Sequence, residues 1–208
     1  IKEGDFTLVY GFPGRTNEYL MSDAVKFTAE LSNPHKIKLR TLRLDIQKRE
    51  MEKDPAVRIQ YASKNANVSN AWKKWQGEVK GIKKMKTVQT KQEFEKAFDR
   101  WAQGGEFDGV IDRIAGIYKE LEPYQFATDY YSETVRTVEI ANFAMSIARL
   151  FVQEDSTMTF DSAKAAALAE AFYKDWYLPI DKESFVAVMA EYDRNVPADF
   201  KPEYYKER

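Results

Sequence analysis

The chain has 208 residues, a mass of 24.2 kDa and a near-even balance of 32 Lys and Arg against 33 Asp and Glu. That length buries a core of one large or two small domains, and the balanced charge excludes both the basic field that nucleic acid requires and the polybasic run that a membrane surface attracts. No apolar run approaches the roughly 20 residues of a membrane span, and with no cysteine there are no disulfides or thiolate metal sites, which leaves the redox compartment open.

In chain order, the first signal is strand-like: Phe6-Thr7-Leu8-Val9-Tyr10-Gly11-Phe12, followed by a Pro13-Gly14-Arg15-Thr16 turn. A lone strand cannot satisfy its own backbone donors and acceptors, and even an isolated hairpin is marginal in water. Its partners are therefore expected elsewhere, and the chain reads as a piece of a larger protein. It begins at Ile1 rather than Met, so the missing cleavable signal carries no information.

Everything after the turn reads as helix, in about eight segments. Thr16 is placed to cap a helix through Leu31, and Ser32-Asn33-Pro34 to end it and open a second helix reaching Lys53. Asp54-Pro55 repeats the cap-plus-proline signal and launches a long third helix that continues past Gly81. Thr90-Lys91-Gln92-Glu93 reads as a capping box ahead of Phe94, Phe98 and Trp101, with Gly104-Gly105 as the stop. Further helices are expected over 108–121, 125–152, 160–176 and 181–195, with Pro123, Pro179 and Pro197 at the joints. The short connections predict antiparallel neighbours, and no repeat of about 34 or 40 residues points to a solenoid. The fold class is all-α, a bundle-like domain preceded by one short strand.

Conventional catalytic signals are absent. The single histidine, His35, excludes the paired Glu-x-x-His motifs of di-iron proteins and the His-Glu-x-x-His zinc motif. It follows a helix-starting proline with no acidic neighbour and reads as a solvated surface residue. Gly104-Gly105 lacks the strand, lysine and spacing of a phosphate loop. No metal and no cofactor are expected.

The third helix carries more information. Val57, Tyr61, Val68, Trp72, Trp75, Val79 and Ile82 recur at three- and four-residue steps, which is a core-facing stripe. Opposite it run Ser63, Ala66, Asn70, Lys74, Gly77 and Gly81. Two glycines inside a helix cost about 1 kcal/mol each relative to alanine, so either the helix ends near Gly77 or another surface approaches that face closely. On spacing alone, Asn70 reads as an exposed polar residue.

The segment Gly11-Phe12-Pro13-Gly14-Arg15-Thr16-Asn17 with Tyr19-Leu20 resembles the junction motif of the bacterial dipeptidyl-peptidase 7 and 11 family, serine exopeptidases built on a chymotrypsin-like double barrel. The resemblance continues through Tyr61-Ala62-Ser63-Lys64, Ser69-Asn70, Trp72-Lys73, Gly77, Phe185, Val196-Pro197 and Pro202, in order along nearly the whole chain. It implies that residues 1–14 are the last barrel strand and turn, and that residues 15–208 are the inserted helical domain that caps the cleft. The catalytic histidine, aspartate and serine are then outside this sequence, and His35 is not one of them. The one position carried over is Asn70, which matches the family asparagine that binds the free amino group of the substrate. Ala71, where an aromatic is common, and Glu18, where a basic residue is common, depart from the pattern. The residues that choose acidic over apolar substrates are expected in the barrel. The resemblance further implies a periplasmic or cell-surface protein of a Gram-negative bacterium. Its partners would be a peptide substrate, the two barrel halves of the same chain and a second copy of the enzyme.

Two other readings fit the helical composition. One is a free-standing helical module for protein–protein interaction; the other, an independent helical enzyme, has no acid–base pair or metal cluster to work with. The partnerless strand and the ordered motif matches favour the cap.

Overall fold

The computed structural model describes residues 1–8, 10, 17–154 and 157–206. Within these the helices are α1 (Ser22–Phe27), α2 (Asn33–Lys53), α3 (Pro55–Lys84), α4 (Thr87–Ala102), α5 (Val110–Glu133), α6 (Glu139–Ala148), α7 (Ser162–Lys174), α8 (Leu178–Asn195) and the single turn α9 (Glu203–Lys206). The all-α expectation holds, with one hairpin added: β1 (Phe151–Glu154) pairs antiparallel with β2 (Thr157–Phe160), Phe151 facing Phe160.

Local chemistry explains where the helices start. Asp54 accepts a bond from Ala56 N at 2.7 Å and Pro55 fills the first turn, so α3 begins where the sequence places it and runs 30 residues, past Gly81. Asp161 caps α7 in the same way through Lys164 N at 2.9 Å.

Other punctuation behaves differently. Ser32-Asn33-Pro34 does not break the chain into two helices: a π-helical turn over Thr28–Ser32 joins α1 to α2, with Asn33 N donating to Thr28 O. The wider turn lets the helix pass a proline that lacks an N–H. Thr16 lies outside the described residues, and α1 starts only at Ser22. The capping box at Thr90 does not form; α4 begins at Thr87 after Lys86, which sits in the left-handed region at φ 51°, and the Thr90 hydroxyl donates back to Lys86 O. Nor does Pro123 end a helix. Helix α5 runs through it, and the break comes at Thr134 to Val138, where a 3-10 turn separates α5 from α6. The segment read as helix to Val152 instead enters the hairpin, whose aromatic and β-branched residues suit a strand and whose Phe151 and Phe160 rings stack at 4.5 Å.

The opening segment finds no sheet among the described residues. Phe6, Leu8 and Tyr10 belong to no strand and are exposed, while Val9, Gly11, Phe12 and the Pro13-Gly14-Arg15-Thr16 turn lie outside the described residues. Among the described residues, the ladder that the sequence asks for has no partner strand.

Helix α2 is the spine. Its Leu39 packs with Tyr130 of α5, Val188 and Tyr192 of α8, and Val196; its Ile46 packs with Val57 and Tyr61 of α3 and Ile180 of α8. Burying a leucine side chain stabilises by about 2 kcal/mol, so these two clusters lock α3, α5 and α8 against one central rod.

Candidate substrate-binding face on helix α3

The stripe on α3 faces the core as its spacing demands. Val57, Tyr61 and Val68 are buried, and Trp72 and Trp75 are half-buried. Trp72 Nε1 donates to Thr41 Oγ1 at 2.9 Å. The Trp75 ring lies under the Arg40 guanidinium at 4.4 Å and under Lys36 Nζ at 4.9 Å, two cation–π contacts.

Polar ties hold the first half of α3. The Tyr61 hydroxyl donates to Glu139 Oε1 at 3.0 Å, and Lys64 Nζ reaches Glu139 Oε2 at 2.5 Å and the Asp175 carbonyl. Burial and then the Glu139 carboxylate push the Tyr61 phenol far above its ordinary value, so it stays a neutral donor. Asn65 Nδ2 donates to Gln47 Oε1 at 3.1 Å.

On the far side the face is open. Ser63, Ala66, Asn70, Lys74 and Gly77 are exposed, and among the described residues none hydrogen-bonds the Asn70 side chain. Lys74 pairs with Glu78 on its own helix at 2.8 Å. A Cβ added at Gly77 or Gly81 would meet nothing within 4 Å. The helix does not end at Gly77, and among the described residues nothing crowds either glycine. Asn70 therefore presents an amide oxygen and two N–H donors on a rigid helix held from behind.

Two concave spaces lie elsewhere. One cleft of about 860 Å³ runs between the α1 segment and α5, lined by Leu20, Phe27, Lys36, Leu121, Gln125 and Asp129. A second, of about 690 Å³, lies at the α2–α3 junction beside Thr41, Met51, Asn65 and Trp72. Neither includes Asn70.

His35 is not the solvated residue that its sequence context suggests. Its ring meets the Phe126 ring edge-on at 4.8 Å, and Nδ1 pairs with the Tyr130 hydroxyl at 3.2 Å. Burial, then Lys38, lowers its pKa, while burial and then Glu191 raise Tyr130 to about 12. Ser32 donates directly to the Asp129 carboxylate rather than to His35, so these three side chains do not form a nucleophile–base–acid relay. Among the described residues no group of three or more His, Asp or Glu is placed to hold a metal.

Sequence reasoning missed the residues that hold α3 in place. Arg40, Glu133, Glu139 and Asp181 act across 28 to 93 positions of chain, and no local pattern marks such pairs.

Comparison with known proteins supplies the wider frame. An Asp/Glu-specific dipeptidyl-peptidase of Flavobacterium psychrophilum is 35% identical over 97% of this chain and 30% of its own length. A dipeptidyl-peptidase 7 of Porphyromonas gingivalis is 30% identical over 99% of this chain and 29% of its own length. The chain thus spans less than a third of these relatives. The crystal structure of Porphyromonas endodontalis DPP11 with the dipeptide Arg-Asp shares the fold, with a TM-score of 0.74 and 23% identity over 93% of this chain and 28% of that one. With the Peptidase S46 family matching residues 1–207, the chain belongs to that family of peptidases.

Proposed function

We propose that this chain is the helical cap of a serine dipeptidyl-peptidase that releases dipeptides from peptide N-termini, and that Asn70 receives the free amino group of the substrate. The observation that carries the reading is the state of Asn70. It is an exposed amide without a protein partner among the described residues, on a helix whose other face is locked to the core, in a chain whose relatives are dipeptidyl-peptidases.

The chemistry suits the task. An exopeptidase that cuts after two residues must measure that length from the chain terminus, and two extended residues span at most about 7 Å. A fixed acceptor at that distance from the nucleophile acts as a ruler. The Asn70 carbonyl oxygen accepts from an ammonium without burying a second full charge. The small residues Ser63, Ala66 and Gly77 around it leave room for a peptide or an opposing wall. A cap that closes over the cleft also excludes water and positions the peptide.

On this reading the nucleophile and its base belong to the barrel halves, and the cap alone is inert. The whole enzyme acts at the periplasm or cell surface, with peptide as substrate. A free-standing interaction module is the second reading, favoured by one feature: Phe94 and Trp101 on α4 are 73% and 70% exposed. The experiment compares the whole peptidase with the 208-residue chain on a dipeptidyl reporter. Turnover by the whole protein alone is expected. Inhibitor-sensitive turnover by the chain alone would overturn the cap reading.

A further inference from the structure

We infer that Arg40 is the positioning residue for Asn70, fixing the rotation and axial setting of α3; the inference rests on the amine-binding role proposed for Asn70. One guanidinium joins three helices. From α2, Arg40 Nε and Nη2 donate to the two carboxylate oxygens of Glu133 on α5 at 2.9 and 2.8 Å, a fork that fixes the plane of the group. The remaining nitrogen, Nη1, donates to the main-chain carbonyl of Val68 on α3 at 3.0 Å. The same plane covers the Trp75 ring at 4.4 Å. The Arg40 side chain is only 18% exposed and that of Glu133 8%, so water screens the pair weakly.

The two α3 contacts bracket Asn70 in sequence, and one of them is a backbone atom. A bond to a carbonyl cannot be kept by a rotamer change, so it marks where the helix itself stands. Asn70 lies two residues beyond Val68, about 200° around the helix and about 3 Å along it, on the side turned away from Arg40. A helix is stiff over that distance, and at a side-chain radius of about 6 Å a rotation of about 10° displaces the Asn70 amide by about 1 Å. Displacements of that size in a positioning contact can lower rates by up to about 100-fold.

Lysine cannot replace this group: an ammonium lacks the planar fork and cannot serve Glu133 and Val68 together in the same geometry. Removing Arg40 alone strands the Glu133 carboxylate and destabilises the fold, whereas replacing both partners by apolar residues of similar size leaves neither charge of the pair unpaired. Both routes remove the bond to Val68, and the second removes it without stranding the Glu133 carboxylate.

The test uses the whole peptidase and two reporters, one dipeptidyl substrate with a free amine and its acetylated counterpart. The readout is the ratio of their kcat/KM values, measured for wild type, Arg40→Lys, the double variant Arg40→Met with Glu133→Leu, Asn70→Ala, and each Arg40 variant combined with Asn70→Ala. Both Arg40 variants are expected to lower the preference for the free amine by roughly tenfold. Neither should lower it further once Asn70 is alanine. A preference within twofold of wild type in both Arg40 variants overturns the inference, as does an equal loss on both reporters or an undiminished loss in the Asn70→Ala background. If Asn70→Ala by itself leaves the preference unchanged, the amine-binding role fails first, and that result is read without reference to Arg40.

Discussion

The Asp181 carboxylate at the start of α8 accepts the main-chain N–H of Glu139, the first residue of α6, at 2.8 Å. Its second oxygen takes Ile140 N at 2.9 Å and the Trp176 indole at 3.0 Å, and the residue is 3% exposed. One buried acid thus caps a helix that starts 42 residues earlier, satisfying two orphan N–H groups and opposing the positive end of α6. Because Glu139 holds Tyr61 and Lys64, the same carboxylate indirectly seats the first half of α3.

Asp181→Ala should therefore destabilise the chain by about 3 kcal/mol, since three buried donors lose their acceptor. For a domain of this size that lowers Tm by about 6–12 °C. Asp181→Asn, which keeps one acceptor oxygen, should lie between. Thermal melts of the three proteins check the order, and an Asp181→Ala Tm equal to wild type would show that water replaces the cap.

His35 sets a pH dependence whose sign follows from its pocket. Burial against Phe126 and Tyr130, then the Lys38 charge, lower its pKa below the ordinary imidazole value of about 6.5, outweighing Asp129 and Glu191. The unfolded chain then binds the proton more readily, so this stabilisation is complete above about pH 6.5 and is lost as pH falls through the lower folded-state value. Tm should decline between pH 7.5 and 5.5. His35→Phe, which keeps the aromatic contact, should flatten the decline, and parallel profiles for the two proteins would assign it to another group.

How much of this was legible from residues alone depended on the range of the interaction. The stripe from Val57 to Ile82 and the Asp54-Pro55 start of α3 are local patterns, and they hold. Pro123 misleads because a proline removes one N–H without always ending a helix, and α5 continues through it. Phe94 and Trp101 share a face as their spacing says, yet they stand exposed: periodicity tells which residues lie together, not what covers them. The fork from Arg40 to Glu133 spans 93 positions and has no sequence signature. Nothing local singles out Asn70, since an exposed asparagine looks like any other, and the role proposed for it starts from resemblance.

Gly77 and Gly81 offer a separation of stability from function. Both lie inside α3, and a Cβ at either would meet nothing within 4 Å. Alanine at each position should stabilise the isolated chain by about 1 kcal/mol, which is roughly 2–4 °C per substitution. In the whole peptidase the same changes should lower kcat/KM, because a methyl group intrudes where another surface or the peptide comes close to α3. Higher Tm with unchanged kcat/KM would mean that this part of the helix faces only solvent.

Asn70 itself gives the sharpest test. A hydrogen bond between its carbonyl oxygen and a substrate ammonium is charge-assisted and contributes about 1.5–3 kcal/mol. Asn70→Ala in the whole peptidase should then lower kcat/KM on a free-amine dipeptidyl substrate by about 10- to 150-fold. The fold should not notice, because the side chain is exposed and, among the described residues, bonds to nothing; helicity and Tm are expected within the range of ordinary surface substitutions, about 0.5 kcal/mol. Acetylated substrates cannot offer the ammonium, so their turnover should change little and the selectivity for free amines should shrink. Asn70→Asp separates charge from geometry: a carboxylate keeps the acceptor and adds a full charge, so it should retain more activity than alanine. If efficiency on the free-amine substrate is the same for Asn70 and alanine, the residue is an ordinary polar position on the surface of α3, and the ruler lies elsewhere.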